Sequence, residues 1–545
     1  MTASHYDFVV VGAGTAGCVV AARLSEDSAA QVLLLETGST QPLDLMAVPS
    51  AWPALMGTSA DWADQTVVQE ATGSRVAWPR GRALGGSSSI NAMNFVRGHR
   101  TSYDAWVQRG AKGWGFEDLL PFFKRSEHTE GRDPALRGRD GPLMPAPAAQ
   151  PHPIAQAGLQ AAAQAGHPIA ADISAGAEEG FGWCDLNIVN GRRQSAADAY
   201  LNPVLGRPNL DVVTGALAHR VTITDGRCTG VEYSVGAGTF TVVCQSEVVI
   251  TAGTVGTPQL LMLSGIGPRA HLREVGLDVV TDLPGVGANL HDHPMSGVVY
   301  QAARPVPPAM NNHGEVQGLV STGTAGYGPD VQIMFVDVPL RAHSLPGPDI
   351  GQGYTISVSL MAPFSRGSLR LASRVPGAAP VIDPRYYTDA RDLDMMVAGL
   401  RMAREIGSAD ALAPWRSTEA LPGASVAGDE QLRAYLCRNI RSYSHYAGTC
   451  TLGTGATAVV DTELRVHGIE GLRVADASVM PSPISANTNA TVYAIAERAA
   501  DLIRALPRPT DAGDGTQISR FSTRFQGMMI NSFNEQIGGY ACTSN

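Results

Sequence analysis

Residues 7–36 read DFVVVGAGTAGCVVAARLSEDSAAQVLLLE, and this stretch decides the fold. Asp7 to Val11 is a short apolar run, the pattern of a strand buried on both faces of a parallel sheet. Gly12, Gly14 and Gly17 follow at once as G-x-G-x-x-G, with Thr15 and Ala16 inside the loop. Cys18 to Ser25 is predicted as a helix and Gln31 to Leu35 as the next strand. That strand ends at Glu36, at the distance a βαβ unit requires. The first glycine permits a tight turn, the second lets backbone approach a pyrophosphate, and the third lets helix and strand pack closely. The helix start offers free N–H groups and a positive dipole end to phosphate. Glu36 is placed to accept hydrogen bonds from ribose hydroxyls. The loop taken alone fits FAD and NAD equally.

Further along, Trp78 to Tyr103 is rich in Gly, Ser and Asn and reads as loop with a short helix. Residues 135–152, rich in Pro, Gly and Ala, read as a surface crossing between domains. Leu210 to Val221 and Phe240 to Thr251 have the pattern of strand pairs. Residues 303–330 and 340–353 are expected to be long loops. Ile356 to Leu360 and Ser368 to Leu371 suggest an antiparallel sheet. Arg391 to Ile406, Asp429 to Leu436 and Asn489 to Leu506 are expected helices, the last stopped by Pro507. Leu472 to Ala475 reads as a short strand. Residues 508–545, rich in Ser, Asn, Phe and Gly, form a tail of different composition.

Five more blocks narrow the reading. Residues 81–91 are GRALGGSSSIN, followed by AMNFVRG; residues 253–267 are GTVGTPQLLMLSGIG; residues 284–294 are PGVGANLHDHP. Residues 445–453 are HYAGTCTLG, and residues 460–489 are VDTELRVHGIEGLRVADASVMPSPISANTN. Together they resemble the glucose-methanol-choline oxidoreductases over about residues 5–506. The resemblance implies an α/β fold: a discontinuous Rossmann-like FAD-binding domain with an α+β substrate-binding domain built on an antiparallel sheet. The FAD-binding segments are 1–145, 205–295 and 436–507. The substrate-binding segments are 146–204 and 296–435.

The resemblance also implies chemistry: oxidation of an alcohol with hydride transfer to flavin N5. His445 takes the general-base position, and an imidazole with an ordinary pKa of about 6.5 suits that task near neutral pH. Asn487 takes the partner position, where an amide can donate to the substrate oxygen but cannot take a proton. Cofactor contact is implied for Gly12, Gly14, Thr15, Ala16, Gly17, Glu36, Trp62, Arg82, Gly86, Asn91, Met93, Val221, Asp476, Ala477 and Thr488. The helix starting at Asn489 is expected to direct its dipole at the flavin. Some members bind the flavin covalently through a histidine just before Asn91. Ile90 stands there, so the FAD is expected to be non-covalent.

The His–Asn combination resembles that of choline-oxidising and hydroxymethylfurfural-oxidising members. It implies a primary-alcohol substrate bearing a hydroxymethyl group, with O2 or another acceptor taking the electrons. Hydroxynitrile lyase and photodecarboxylase activities, which use the same fold, are the alternatives. The second signature, with Thr257 to Leu263 as a helix ended by Ser264-Gly265, is expected to pack the sheet. His291 and His293 are expected to be structural, because no Cys, Asp or Glu cluster completes a metal site around them.

Bulk composition excludes other classes. The net charge is −10, with no basic stripe, so nucleic acid is not an expected partner. Seven scattered cysteines without a C-x-x-C pair point to reduced thiols in a cytoplasmic setting. No secretory leader and no membrane span are expected. The sequence carries no sign of the oligomeric state.

Overall fold

The computed structural model describes residues 5–505 apart from residues 178, 327 and 343. The 508–545 tail lies outside the described residues. The expected βαβ unit forms the centre of a seven-stranded sheet. Its strands lie in the order Leu210–Val213, Val32–Leu35, His5–Val11, Gly238–Ile250, Arg227–Val235 and Ala216–Thr224. Leu472–Val474 pairs in parallel with the far end of Gly238–Ile250. His5–Val11 runs parallel to both neighbours, and its last four residues are buried, as an apolar run in a covered parallel sheet must be.

The helix Thr15–Leu24 begins three residues earlier than expected, with Gly14 as its N-cap. Gly17 therefore sits in the first turn. A Cβ there would stand 1.8 Å from the Gly12 carbonyl oxygen, so only glycine lets the helix lie this close to the strand end. Leu210 to Val221 forms two strands, Leu210–Val213 and the start of Ala216–Thr224, with Gly215 between them at φ +64°. The helix Gly253–Leu263 starts four residues before Thr257.

A second seven-stranded sheet is antiparallel. Its order is Arg416–Leu421, Pro294–Ala302, Gly353–Leu360, Val331–Val336, Val316–Val320 and Gly180–Trp183, with Arg441–Ser442 paired to Pro294–Ala302. Two differences from expectation stand out. Val316–Val320 lies within the stretch expected to be loop. Its five residues are all buried, and a short run flanked by Pro and Gly conceals that. Arg441–Ser442, placed by sequence with the FAD-binding segments, joins this sheet instead.

The pleat decides what each side of the sheet faces. Phe335 packs against the helix Pro153–Gln164, where a Cβ on Gly158 would meet its ring at 2.2 Å. Val331 and Val358 meet the helix Ala390–Ser408 at Gly399. Met334 and Val336, on the opposite face, line a cavity between the two sheets. The α/β class with an antiparallel second sheet is thus as the sequence predicts.

Candidate active site

That cavity has a volume of about 1590 Å³ and runs from the Gly12 loop to His445 and Asn487. Drug-sized ligands occupy pockets of about 300–1,000 Å³, so there is room here for a dinucleotide and a small substrate together. Gly12, Gly14, Thr15, Ala16, Glu36, Trp62, Gly86, Asn91, Met93, Asp476, Ala477, Asn487 and Thr488 all line it.

Three residues expected at the cofactor do not line it. Gly17 packs helix on strand, as above. Arg82 is exposed and lies beside Trp62, its guanidinium carbon 5.1 Å from the ring centroid. Val221 is buried in the sheet, where its N–H donates to Ser264 Oγ at 2.9 Å. In that strand Ala216 to Ala218 line the cavity, and three further residues carry Val221 about 10 Å past them.

The glycine cradle is built from two loops. Gly86 has φ +53°, and a Cβ on it would stand 2.6 Å from Gly14 Cα. Two bare backbones therefore meet at the cavity wall. Glu36 Oε2 accepts from Ala13 N at 2.8 Å and Oε1 from Gly38 N at 2.7 Å. Each oxygen keeps lone pairs for a ribose hydroxyl. Burial pushes the Glu36 carboxyl up to about 7, against the pull of the Gly38 and Ala13 amides and of Arg82. Asp476 Oδ2 accepts from Gly253 N at 2.9 Å and Thr257 Oγ1 at 2.6 Å, while Oδ1 accepts from Ser478 N at 2.8 Å. It pins the start of the Gly253 helix, and burial raises its pKa. The second signature therefore does more than pack the sheet, since Gly253, Thr254 and Gly256 line the cavity.

Asn487 precedes Thr488, the N-cap of the helix Asn489–Arg504, so it stands clear of the helix proper. Its Nδ2 is 3.2 Å from His445 Nε2, and its buried Oδ1 has no partner. Asn489 Oδ1 accepts from Thr15 Oγ1 at 3.0 Å, which ties the starts of two helices together at the cavity. Asn91 Oδ1 accepts from Met93 N at 3.0 Å and from Arg193 Nη1 at 2.8 Å. Ile90 is buried against Met46, Leu55, Ala60 and Ala83 and lines the cavity with carbon only.

His445 is held by neighbours that sequence reasoning missed. Its Nδ1 lies 2.9 Å from His293 Nδ1, with the rings edge to face at 88°. Asn487 Nδ2 can only donate, so His445 Nε2 holds its lone pair toward Asn487 and the cavity, and His445 Nδ1–H donates to His293 Nδ1. Burial drives His445 well below its usual pKa, and the neighbouring His293 adds to this. Burial also pushes His293 down to about 3. Both rings are neutral at physiological pH.

Asp292 fastens the loop that carries the base. It accepts from His445 N at 2.8 Å, from Ser442 Oγ at 2.6 Å and from the Tyr386 hydroxyl. Burial pushes its carboxyl up to about 6 against the pull of those hydroxyls. Ser444, immediately before His445, has φ +63°, a left-handed conformation unusual for a residue with a Cβ. The HDHP pair thus divides. His291 packs under the Gly448 turn, where a Cβ would meet its ring at 2.3 Å, while His293 supports the base. Only the juxtaposed HDHP and HYAG blocks hint at this, and nothing in their spacing brings them together.

The residues fit FAD: a Cβ-free cradle at one end, a buried carboxylate with lone pairs to spare beside it, and unpartnered amide atoms at the other end. Among the described residues no helix is long and apolar enough to cross a membrane. Family models described as GMC oxidoreductase match residues 6–295 and 363–496. The chain is similar to mitochondrial choline dehydrogenase of Homo sapiens, 38% identical over 92% of this chain and 90% of that protein. It is also similar to oxygen-dependent choline dehydrogenase of Brucella canis, 38% identical over 91% and 95%. Among solved structures, pyridoxine 4-oxidase from Mesorbium loti superposes with a TM-score of 0.88 at 36% identity, covering 91% of this chain and 98% of that one. A fungal aryl-alcohol oxidase does so with a TM-score of 0.80 at 27% identity, covering 91% and 98%. Sequence blocks, fold and cavity agree: the chain belongs to the glucose-methanol-choline oxidoreductases, FAD-dependent enzymes acting on CH–OH donors.

Proposed function

We propose that this enzyme oxidises a primary alcohol to the aldehyde, with His445 as the base and Asn487 as its partner. The observation that carries the reading is the neutral His445 Nε2 beside an Asn487 amide whose oxygen has no partner, at the end of the cavity opposite the glycine cradle. When bound, FAD supplies the hydride acceptor at N5. His445 Nε2 takes the hydroxyl proton, and His445 Nδ1–H stays on His293. Asn487 Nδ2 donates to the substrate oxygen and orients the carbon that gives up its hydride. The start of the Asn489 helix faces the same chamber and favours negative charge there. FAD is held without a covalent bond, since Ile90 offers no attachment atom. Segments 1–145, 205–295 and 436–507 carry the cofactor and segments 146–204 and 296–435 cover the substrate, except that Arg441–Ser442 serves the second sheet. Oxygen or another acceptor regenerates the oxidised flavin. A cytoplasmic setting suits the six described cysteines, all unpaired.

The test is anaerobic mixing of the holoenzyme with a panel of primary alcohols, following flavin absorbance. A productive alcohol bleaches the flavin. Cleavage of a cyanohydrin without bleaching by any alcohol would support a lyase instead. Peroxide formed on readmitting air separates oxidase from dehydrogenase.

A further inference from the structure

The substrate end of the cavity carries an unusual set of charges. Arg341, Arg438 and Arg441 line it, with Asp349 as the nearby acid, exposed on the 340–353 segment. Among the described residues none of these arginines forms an ion pair, although their neighbours do. Arg433, on the same helix as Arg438, pairs with Asp394, and Arg404 pairs with Glu419 at 2.7 Å. Arg441 Nη1 donates to the Arg341 carbonyl at 3.2 Å, and its buried Nε has no partner. Arg341 Nη1 in turn donates to the Leu345 carbonyl at 2.7 Å. Backbone carbonyls thus orient the guanidinium groups but leave their charge unbalanced, in a chain with net charge −10.

A guanidinium without a counter-charge is costly to bury. Burial pulls the Arg441 pKa below its ordinary value, and no carboxylate restores it. His313, also on the wall, does not change the balance. Its two ring nitrogens face Asp337 Oδ1 at 2.6 Å and the Ser50 carbonyl at 2.9 Å, so its charge is already paired. Arg441 pairs in register with Met295, two residues after His293, and lies four residues before His445. The two Cα atoms are therefore at most about 14 Å apart. The Arg441 and His445 side chains line the same cavity.

We propose that Arg441 and Arg341, with Arg438 at the rim, bind an anionic substituent of the substrate, a carboxylate or a phosphate monoester, while its hydroxymethyl group lies at His445. This rests on the alcohol-oxidising reading above and names the class of alcohol it takes. Planar guanidinium groups suit both anions through paired N–H donors.

The experiment compares anaerobic flavin reduction in the holoenzyme by benzyl alcohol, 4-(hydroxymethyl)benzoate, 4-(hydroxymethyl)phenyl phosphate and the 4-trimethylammonium analogue. Charge-assisted bonds to the anion should favour at least one anionic substrate over benzyl alcohol by roughly 10- to 100-fold in reduction rate over Kd. The better of the two identifies the anion. In Arg441→Gln and Arg341→Gln the ratio should collapse toward one, and Arg441→Lys should recover part of it. A second readout needs no turnover: benzoate should perturb the flavin spectrum of the wild type, with its Kd raised by about 10-fold or more in Arg441→Gln. If Arg441→Gln does not fold, the exposed Arg438→Gln and the loss of preference in high salt carry the same test. Equal use of benzyl alcohol and both anions, preference for the trimethylammonium analogue, or a ratio unchanged in the variants would overturn the proposal. Failure of every alcohol to bleach the flavin, with benzoate still bound through Arg441, would instead sink the alcohol-oxidising reading and leave the anion site standing.

Discussion

Gly86→Ala tests the cradle directly. The new Cβ would stand 2.6 Å from Gly14 Cα, against about 3.5–4.0 Å for carbon atoms in contact. The shortfall of about 1 Å lies between two backbones, so no side-chain rotation relieves it. Gly86 also has φ +53°, a conformation that costs alanine roughly 1–2 kcal/mol. Overpacking adds about 1–3 kcal/mol. To relieve it, either Gly86 or the loop that carries Gly12 and Gly14 must withdraw, and these glycines line the cavity proposed to take the pyrophosphate. If about 2 kcal/mol of this falls on the bound state, FAD affinity drops by roughly 30-fold. The assay is FAD titration into apoprotein by flavin fluorescence, with apoprotein melting measured in parallel to separate folding from binding. Gly73→Ala is the control, because Gly73 has φ +63° and nothing within 4 Å of its would-be Cβ. It should lose a little stability and no FAD affinity. A Gly86→Ala protein that binds FAD as tightly as wild type would show that these two loops do not grip the cofactor together.

Five further outcomes are expected. His445→Ala should lower the rate of flavin reduction by roughly 10²–10⁴ with FAD retained, and Asn487→Ala should slow it as well; normal reduction in either variant removes that residue from the chemistry. His293→Leu deprives His445 Nδ1–H of its acceptor, so reduction should slow by roughly 10-fold or more while FAD content stays constant, and an unchanged rate and pH profile would reduce His293 to packing. Because His445 is held below its ordinary pKa by burial, the base form persists as pH falls. Flavin reduction should therefore be level from neutral pH upward and decline only below about 6.5, and an apparent pKa of 7 or more for the base would contradict this. Acid precipitation should release all the FAD into the supernatant, whereas flavin remaining on the polypeptide would disprove non-covalent attachment.

Some of this was legible because the local sequence carries its own physics. The Gly12–Gly17 loop, its flanking strands and Glu36 form one contiguous βαβ unit, so periodicity and spacing suffice to place them. The antiparallel sheet was legible only in part. Ile356 to Leu360 shows its alternation of apolar and polar residues, but Val316 to Val320 is bracketed by residues that signal loop and owes its strand state to partners on both sides. The place of Val221 is illegible for a related reason. A strand's sequence shows that it is buried, not which of its residues reaches the mouth of a cavity at the strand's end.

The support of the base was illegible for a deeper reason. His293 and His445 lie in separate blocks, each readable alone, and their contact exists only because Pro294–Met295 pairs with Arg441–Ser442. That short pairing sets Asp292 under the 442–445 loop and His293 beside the imidazole, and it sets Arg441 facing the chamber from the other side of the same turn. One two-residue pairing thereby helps to position both the base and Arg441. If so, perturbing it from the Met295 side should disturb both together. Met295→Pro, which removes a backbone donor from that ladder, should slow flavin reduction with every alcohol and also lower any preference for anionic ones. A variant that changed one without the other would mean that base and arginines are positioned independently.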